Sequence, residues 1–202
     1  MSAKPSVPAA KSRRAAGTNL PTLVFEASDD LARHVAAVVA GIIRDRNHRG
    51  EQAVLALPTG SSPVGVYREL VRLHREESLD FSGTVIFVLN EFYGVQRDQL
   101  QSHHRWIGEH LLDAVNIPLA NVHTLDGAVP LAEVEAHCRA FEAAIERAGG
   151  IDVLILGIGK NGHIGSNEPF PGTTGRTRLS TLDPVTRRAL ASDFFGEWNV
   201  PT

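Results

Sequence analysis

Beyond about residue 22, short apolar runs alternate with longer segments whose apolar residues recur at helical spacing. "TLVFEA" reads as a strand. Ser28 then offers a helix N-cap, with Asp29 and Asp30 suited to the first turn, and Val35, Val38, Val39, Ile42 and Ile43 mark one face of the helix that follows. "AVLAL" (53–57), "TVIFVL" (84–89) and "IDVLIL" (151–156) are apolar throughout, as strands covered on both faces are. Between them the pattern predicts a helix from Pro63 to about Glu77, a second capped by Ser102 and carrying Trp106, Ile107, Leu111 and Leu112, and a third ending at Gly149. "VHTLD" is a brief further strand, and Asp183-Pro184 opens a last helix. Buried strands separated by helices imply a parallel sheet with helices on both faces.

In such sheets ligands bind beyond the carboxyl ends of the strands. Three polar stretches stand there: "TGSS", "NEFYG" and "GIGKNGHIGSNE". If the strands are parallel, all three share one edge, and that convergence says more than any single motif. Thr59, Gly60, Ser61 and Ser62 run straight into a helix, where free N–H groups and the positive dipole end favour an anion; a plain turn with Ser62 as N-cap is the bland alternative. "GIGKNG" matches the dinucleotide fingerprint, but that fingerprint needs a helix directly after it. Here "HIGSNEPFPG" follows, with Pro169 and Pro171, which disfavours a nicotinamide site. His163 and Glu168 in that loop suit acid–base chemistry, unless His163 only ties the loop down. His103 and His104 are adjacent and do not share a helix face. They read, like His110 and His137, as surface or core-edge residues, and Cys138 as core packing.

Composition narrows the field. The 202 residues suffice for one domain, and a formal charge of −3 gives no global pull toward nucleic acid or an anionic membrane. No long apolar span occurs, and the single cysteine suits a reducing, cytoplasmic setting. Residues 1–20 are rich in Ala, Pro, Ser and Lys/Arg and contain no acid, so a disordered tail is expected there and a folded domain over 21–202.

Four segments carry a resemblance: "LALPTGSSPVGVYREL", "FVLNEFYG", "VNIPLANVH" and "GIGKNGHIGSNEP". They resemble the glucosamine-6-phosphate deaminase/isomerase family, whose broader relatives include 6-phosphogluconolactonases, from about residue 23 to the end. The resemblance implies an α/β, Rossmann-like fold of three α/β/α layers around a mostly parallel sheet. It implies amino-sugar catabolism: ring opening of a hexosamine 6-phosphate, proton movement from C2 to C1, and release of ammonia to give fructose 6-phosphate. It implies no cofactor and no metal. Thr59, Gly60, Ser61 and Ser62 match the family's phosphate loop, His163 its ring-opening histidine, and Glu168 the acid that supports it. Two positions depart. Asn90, followed by Glu91, stands where the family has its general-base aspartate, and Asn161 where an aspartate works with the histidine. Losing one general base typically costs about 10²–10⁴ in rate, so weakened turnover is expected unless Glu91 substitutes. A non-catalytic sugar-phosphate binder and a 6-phosphogluconolactonase-like hydrolase are the alternatives. The family pattern continues for several tens of residues more. A C-terminally incomplete domain is therefore expected, with an open sheet edge, few partners for Phe194, Phe195 and Trp198, and a homo-oligomer as one outcome.

Overall fold

The three apolar runs become neighbouring strands of one sheet in the computed structural model, which describes residues 12–14, 17, 19–169 and 175–201. The main elements are β1 (Ser12–Arg14), β2 (Leu23–Phe25), α1 (Ser28–His48), β3 (Ala53–Leu57), α2 (Val64–Glu77), β4 (Thr84–Val88), α3 (His103–His110), β5 (Val122–His123), α4 (Val134–Arg147), β6 (Val153–Leu154) and α5 (Pro184–Leu190). The sheet order is β5-β4-β3-β6, and every pairing is parallel. The chain builds outward from β3 through β4 to β5, then crosses back to place β6 on the other side of β3. The winding therefore reverses between β3 and β6, and in sheets of this kind the crevice that takes a ligand lies at such a reversal, beyond the carboxyl ends.

Every residue of β3 and β4 is buried. Their side chains alternate between two cores. Leu55, Leu57, Ile86 and Val88 pack with residues of α1, α2 and α3, while Val54, Ala56, Val85 and Phe87 meet Phe141 and Ala144 of α4. The expected three-layer α/β/α architecture follows directly from that alternation.

Several expectations need correction. The buried stripe of α1 is Ala32, Ala36, Val39, Ala40 and Ile43, and Val38 is 47% exposed. Small residues one turn apart let α2 come close: a Cβ on Gly65 would lie 3.0 Å from the Ala32 Cβ. The N-cap of α1 is Ala27, and Ser28 is already helical. "TLVFEA" yields β2, which lies outside the parallel sheet and pairs antiparallel with β1. Of the stretch expected to be a tail, Ser12–Arg14 form the strand that pairs with β2, while residues 1–11, 15, 16 and 18 lie outside the described residues.

β6 has two residues rather than six. At its start the Asp152 carboxylate takes the Val54 N–H at 2.9 Å and also pairs with Arg46 of α1. At its end Gly165 donates back to the Gly157 carbonyl at 3.1 Å, which turns the chain out of the sheet. Among the described residues no strand covers the outer edge of β6, and Leu154 and Leu156 are exposed. Phe195 and Trp198 are exposed too, but Phe194 is buried against Val95 and Val200, with its ring 4.9 Å from that of Phe92. Cys138 is a free thiol in the interior.

Candidate active site

The sheet register brings the three polar loops to one level. Leu57 pairs with Val88, the Leu89 N–H donates to the Leu57 carbonyl, and the Ile155 N–H donates to that of Ala56. Thr59 and Asn90 thus leave adjacent strands side by side, and the loop from Gly157 begins on the other flank of β3.

The first loop leaves β3 and enters the N-terminus of α2, a place that can receive an anion. Gly60 has φ +96°, a conformation that glycine adopts at little cost. Pro63 is the N-cap of α2 and no side chain caps the helix, so Ser62 does not fill that role. Among the described residues the hydroxyls of Thr59, Ser61 and Ser62 make no hydrogen bond, and Gly60, Ser61 and Ser62 are exposed. The loop's root is fixed from below: Tyr67, fully buried in α2, donates its hydroxyl to the Pro58 carbonyl at 2.5 Å. Burial pushes the Tyr67 hydroxyl far up, so it stays a donor.

The second loop contains a saturated carboxylate. Glu91 Oε1 accepts from the N–H groups of Phe92 (2.9 Å) and His103 (3.0 Å). Its Oε2 accepts from the Ser102 hydroxyl (2.8 Å) and the His104 N–H (3.1 Å). A carboxylate has about four acceptor positions, and all four are taken. Glu91 closes the N-terminus of α3, where unpaired N–H groups and the dipole favour a negative charge. Ser102 adds the expected N-cap, accepting from the Arg105 N–H. His103 Nδ1 donates to the Asn90 carbonyl at 2.9 Å, and burial holds its pKa below the ordinary histidine value. The Asn90 main chain is thereby held at its carbonyl, one residue after the Leu89 N–H that bonds to β3. Its half-buried side-chain amide makes no hydrogen bond among the described residues.

The third loop assembles Asn161, His163 and Glu168. Glu168 is 4% exposed and acceptor-only when ionised, so the Asn161 amide turns its NH₂ to Oε2, at 2.7 Å. Asn161 Oδ1 then faces His163 and accepts from Nδ1 at 2.7 Å and from the backbone N–H at 3.2 Å. In the neutral ring this fixes the proton on Nδ1 and leaves the Nε2 lone pair open, with no partner among the described residues. Burial raises the Glu168 pKa, but hydrogen bonds from Thr186, Asn161 and the Asp183 N–H outweigh it. The net shift is downward and the group stays ionised. Its Oε2 is 3.8 Å from His163 Nδ1, close enough to support an imidazolium. One of the "GIGKNG" glycines, Gly159, serves this ring. A Cβ on Gly159 would fall 2.0–2.4 Å from three atoms of the imidazole, so the ring lies flat against a bare backbone. Among the described residues no helix follows before α5, which argues against the dinucleotide context.

Reading the sequence alone missed four participants. Thr186, buried in α5, sits 3.2 Å from His163 Nδ1, and Asp183 donates its N–H to Glu168 at 3.1 Å. The Asp-Pro helix start was the available signal, because it brings the first turn of α5 under the histidine loop. Ser102 and His103 on the second loop were visible only as a cap and as one of an adjacent histidine pair. Among the described residues no group of three or more His, Cys, Asp or Glu could hold a metal ion.

Residues 26–187 match the family profile of glucosamine-6-phosphate isomerases/6-phosphogluconolactonase. The chain belongs to this family. Among the family's curated proteins, a glucosamine-6-phosphate deaminase of Arthrobacter sp. is 42% identical over 170 residues, covering 84% of this chain and 65% of that protein. One from Clostridium acetobutylicum is 37% identical and covers 86% and 70%. A deaminase-like protein of Bacteroides thetaiotaomicron is 40% identical but far longer, so the match spans 26% of it. The chain thus spans from about a quarter to about two thirds of these relatives. Among solved structures, a monomeric glucosamine-6-phosphate deaminase superposes with TM-score 0.80 at 34% identity, covering 87% of this chain and 70% of that one. The 6-phosphogluconolactonase of Thermotoga maritima gives 0.56 at 28% identity, covering 67% and 59%. The family assignment agrees with the parallel sheet and with three loops meeting at one edge. In the described residues no helix is long and apolar enough to cross a membrane.

Proposed function

We propose that the chain binds a hexosamine 6-phosphate, glucosamine 6-phosphate first, and performs deaminase-type proton chemistry on its C1–C2 end. The overall reaction would give fructose 6-phosphate and ammonia, with the C2 step slow. The observation that carries this reading is the juxtaposition at the β3/β6 crevice. An uncapped helix N-terminus with three unengaged hydroxyls lies on one flank, and a histidine with an open Nε2 on the other. The first group suits a phosphate. The second suits transfer of a hydroxyl proton, backed by an ionised buried carboxylate. The deaminase names of relatives at 37–42% identity point the same way.

A lactonase reading has one observation in its favour. A lone open imidazole can also activate water at an ester, and 6-phosphogluconolactonases share the fold. Hydrolysis of 6-phosphogluconolactone against ammonia release from glucosamine 6-phosphate separates the two. For phosphate recognition the decisive variant is Gly60→Val. Its Cβ would meet nothing within 4 Å, so the substitution acts through the φ of +96° alone and should reshape the loop without disturbing the core. Calorimetric titration with a hexosamine 6-phosphate analogue should then show binding lost while the far-UV spectrum is kept. Unchanged affinity would remove the loop from the site.

A further inference from the structure

We infer that this site is chiefly an anomerase: it opens and recloses the pyranose ring of a hexosamine 6-phosphate far faster than it removes the C2 proton. The inference rests on the hexosamine-phosphate reading above and names which part of that chemistry the residues can perform.

The two steps ask for different equipment. Ring opening moves one proton between two oxygens: a base takes the C1 hydroxyl proton, the C1–O5 bond breaks as the C1 carbonyl forms, and the same proton is delivered to O5. Reclosure on either face of the aldehyde returns either anomer. Atoms and charge balance with no co-reactant, and one neutral imidazole suffices. Removing a proton from C2 requires a base on carbon and a donor on O1 at the same moment, hence two groups.

Among the described residues at this edge His163 and His103 each keep an Nε2 without a partner, but the His103 ring is packed on Phe92, 4.6 Å between centroids, and tied to the Asn90 carbonyl, so the base left for the cleft is His163. His163 has a free Nε2, while its Nδ1–H is held by Asn161. Glu168 is engaged by Asp183 and Asn161, besides Thr186. Glu91 has two donors on each oxygen, and to accept a proton it would have to release α3. Asn90, whose side chain is unengaged, is an amide and does not accept a proton near neutral pH. The cleft therefore holds a complete proton shuttle for oxygen and an incomplete one for carbon.

The experiment follows both steps on one sample. Glucosamine 6-phosphate labelled with ¹³C at C1 is mixed with the full chain in D₂O. Anomer exchange is read by magnetisation transfer, deuterium at C2 by proton NMR, and ammonia by a coupled assay. Exchange should be accelerated and saturable, and should exceed C2 deuteration and ammonia release by at least about 10²-fold, the lower value of one general base. His163→Gln should abolish the acceleration while calorimetry still detects the ligand. Deuteration or ammonia keeping pace with exchange overturns the inference, as does exchange that survives His163→Gln. Binding without accelerated exchange overturns it and leaves the hexosamine-phosphate reading standing; absence of binding removes both.

Discussion

Two glutamates stand at the same sheet edge, Glu91 half-buried and Glu168 buried, each supplied with donors, and they do opposite things. Three of the four donors to Glu91 are backbone N–H groups, two of them at the start of α3, and the fourth is the Ser102 hydroxyl. Its charge is spent on holding a helix against a strand. Two of the donors to Glu168 are side chains, Asn161 and Thr186, and both also touch His163. Its charge therefore reaches a titratable ring. A carboxylate near a cleft is a base, a clamp or an electrostatic support according to where its hydrogen bonds end, and counting acids does not distinguish them.

The most direct way to break the contrast is to give the β4 side an unengaged carboxylate. Asn90→Asp is expected to raise ammonia release by about 10²–10⁴-fold, the usual value of a positioned general base. The half-buried Asn90 side chain makes no hydrogen bond among the described residues, so the exchange of NH₂ for O⁻ breaks none there. A steady-state ammonia assay reads the gain. If the parent already turns over as fast, the clamp assignment of Glu91 is wrong.

The clamp has its own test. Glu91→Ala leaves three N–H groups and a hydroxyl without their acceptor, and is expected to cost about 2–4 kcal/mol, between the loss of one cap and that of several buried partners. Urea unfolding measures it. A cost below about 0.5 kcal/mol, the level of an ordinary surface change, would mean that α3 does not depend on this carboxylate.

How far the sequence reaches differs between the two sides in the same way. Composition and period exposed β3 over its whole length and β4 to within one residue at its end, because strands buried on both faces are apolar throughout. They also exposed Ser102 and Asp183 as caps, which are local signals. β6 was overestimated at 151–156, since apolar content cannot reveal that Asp152 bonds sideways to Val54 and that Gly157 turns the chain out. The α1 stripe was misplaced because its alanines score weakly as apolar, yet they are what lets Gly65 approach. Thr186 and the clamp on Glu91 lie 23 and 11–13 residues from their partners, and no periodicity encodes such contacts.

On the Glu168 side the contrast sharpens with pH. Its folded pKa lies below the ordinary carboxylate value, so its stabilising contribution is present above that value and is lost as pH falls through the folded pKa. Glu142, held down by the Thr177 hydroxyl and N–H, and Asp80, held down by the Ser82 N–H and Asn116, act in the same direction. Urea midpoints followed from about pH 6 to about pH 3 should fall, and Glu168→Gln should flatten part of that fall without removing it. A Glu168→Gln profile parallel to the parent's would show that the carboxylate is not held by its three donors.

The smallest expected effect isolates one link of the clamp. The Ser102 hydroxyl is fully buried, donates to Glu91 Oε2 and accepts weakly from the Arg105 N–H at 3.4 Å. Ser102→Ala removes both contacts but leaves Glu91 with three backbone donors, so α3 stays attached. The expected cost is about 1 kcal/mol, that of an ordinary N-cap, or about 2–4 °C in Tm for a chain of this size. In the double variant with Glu91→Ala the two losses should not add, because both act on one helix end. Additive costs in a double-mutant cycle would mean that Ser102 and Glu91 support α3 independently.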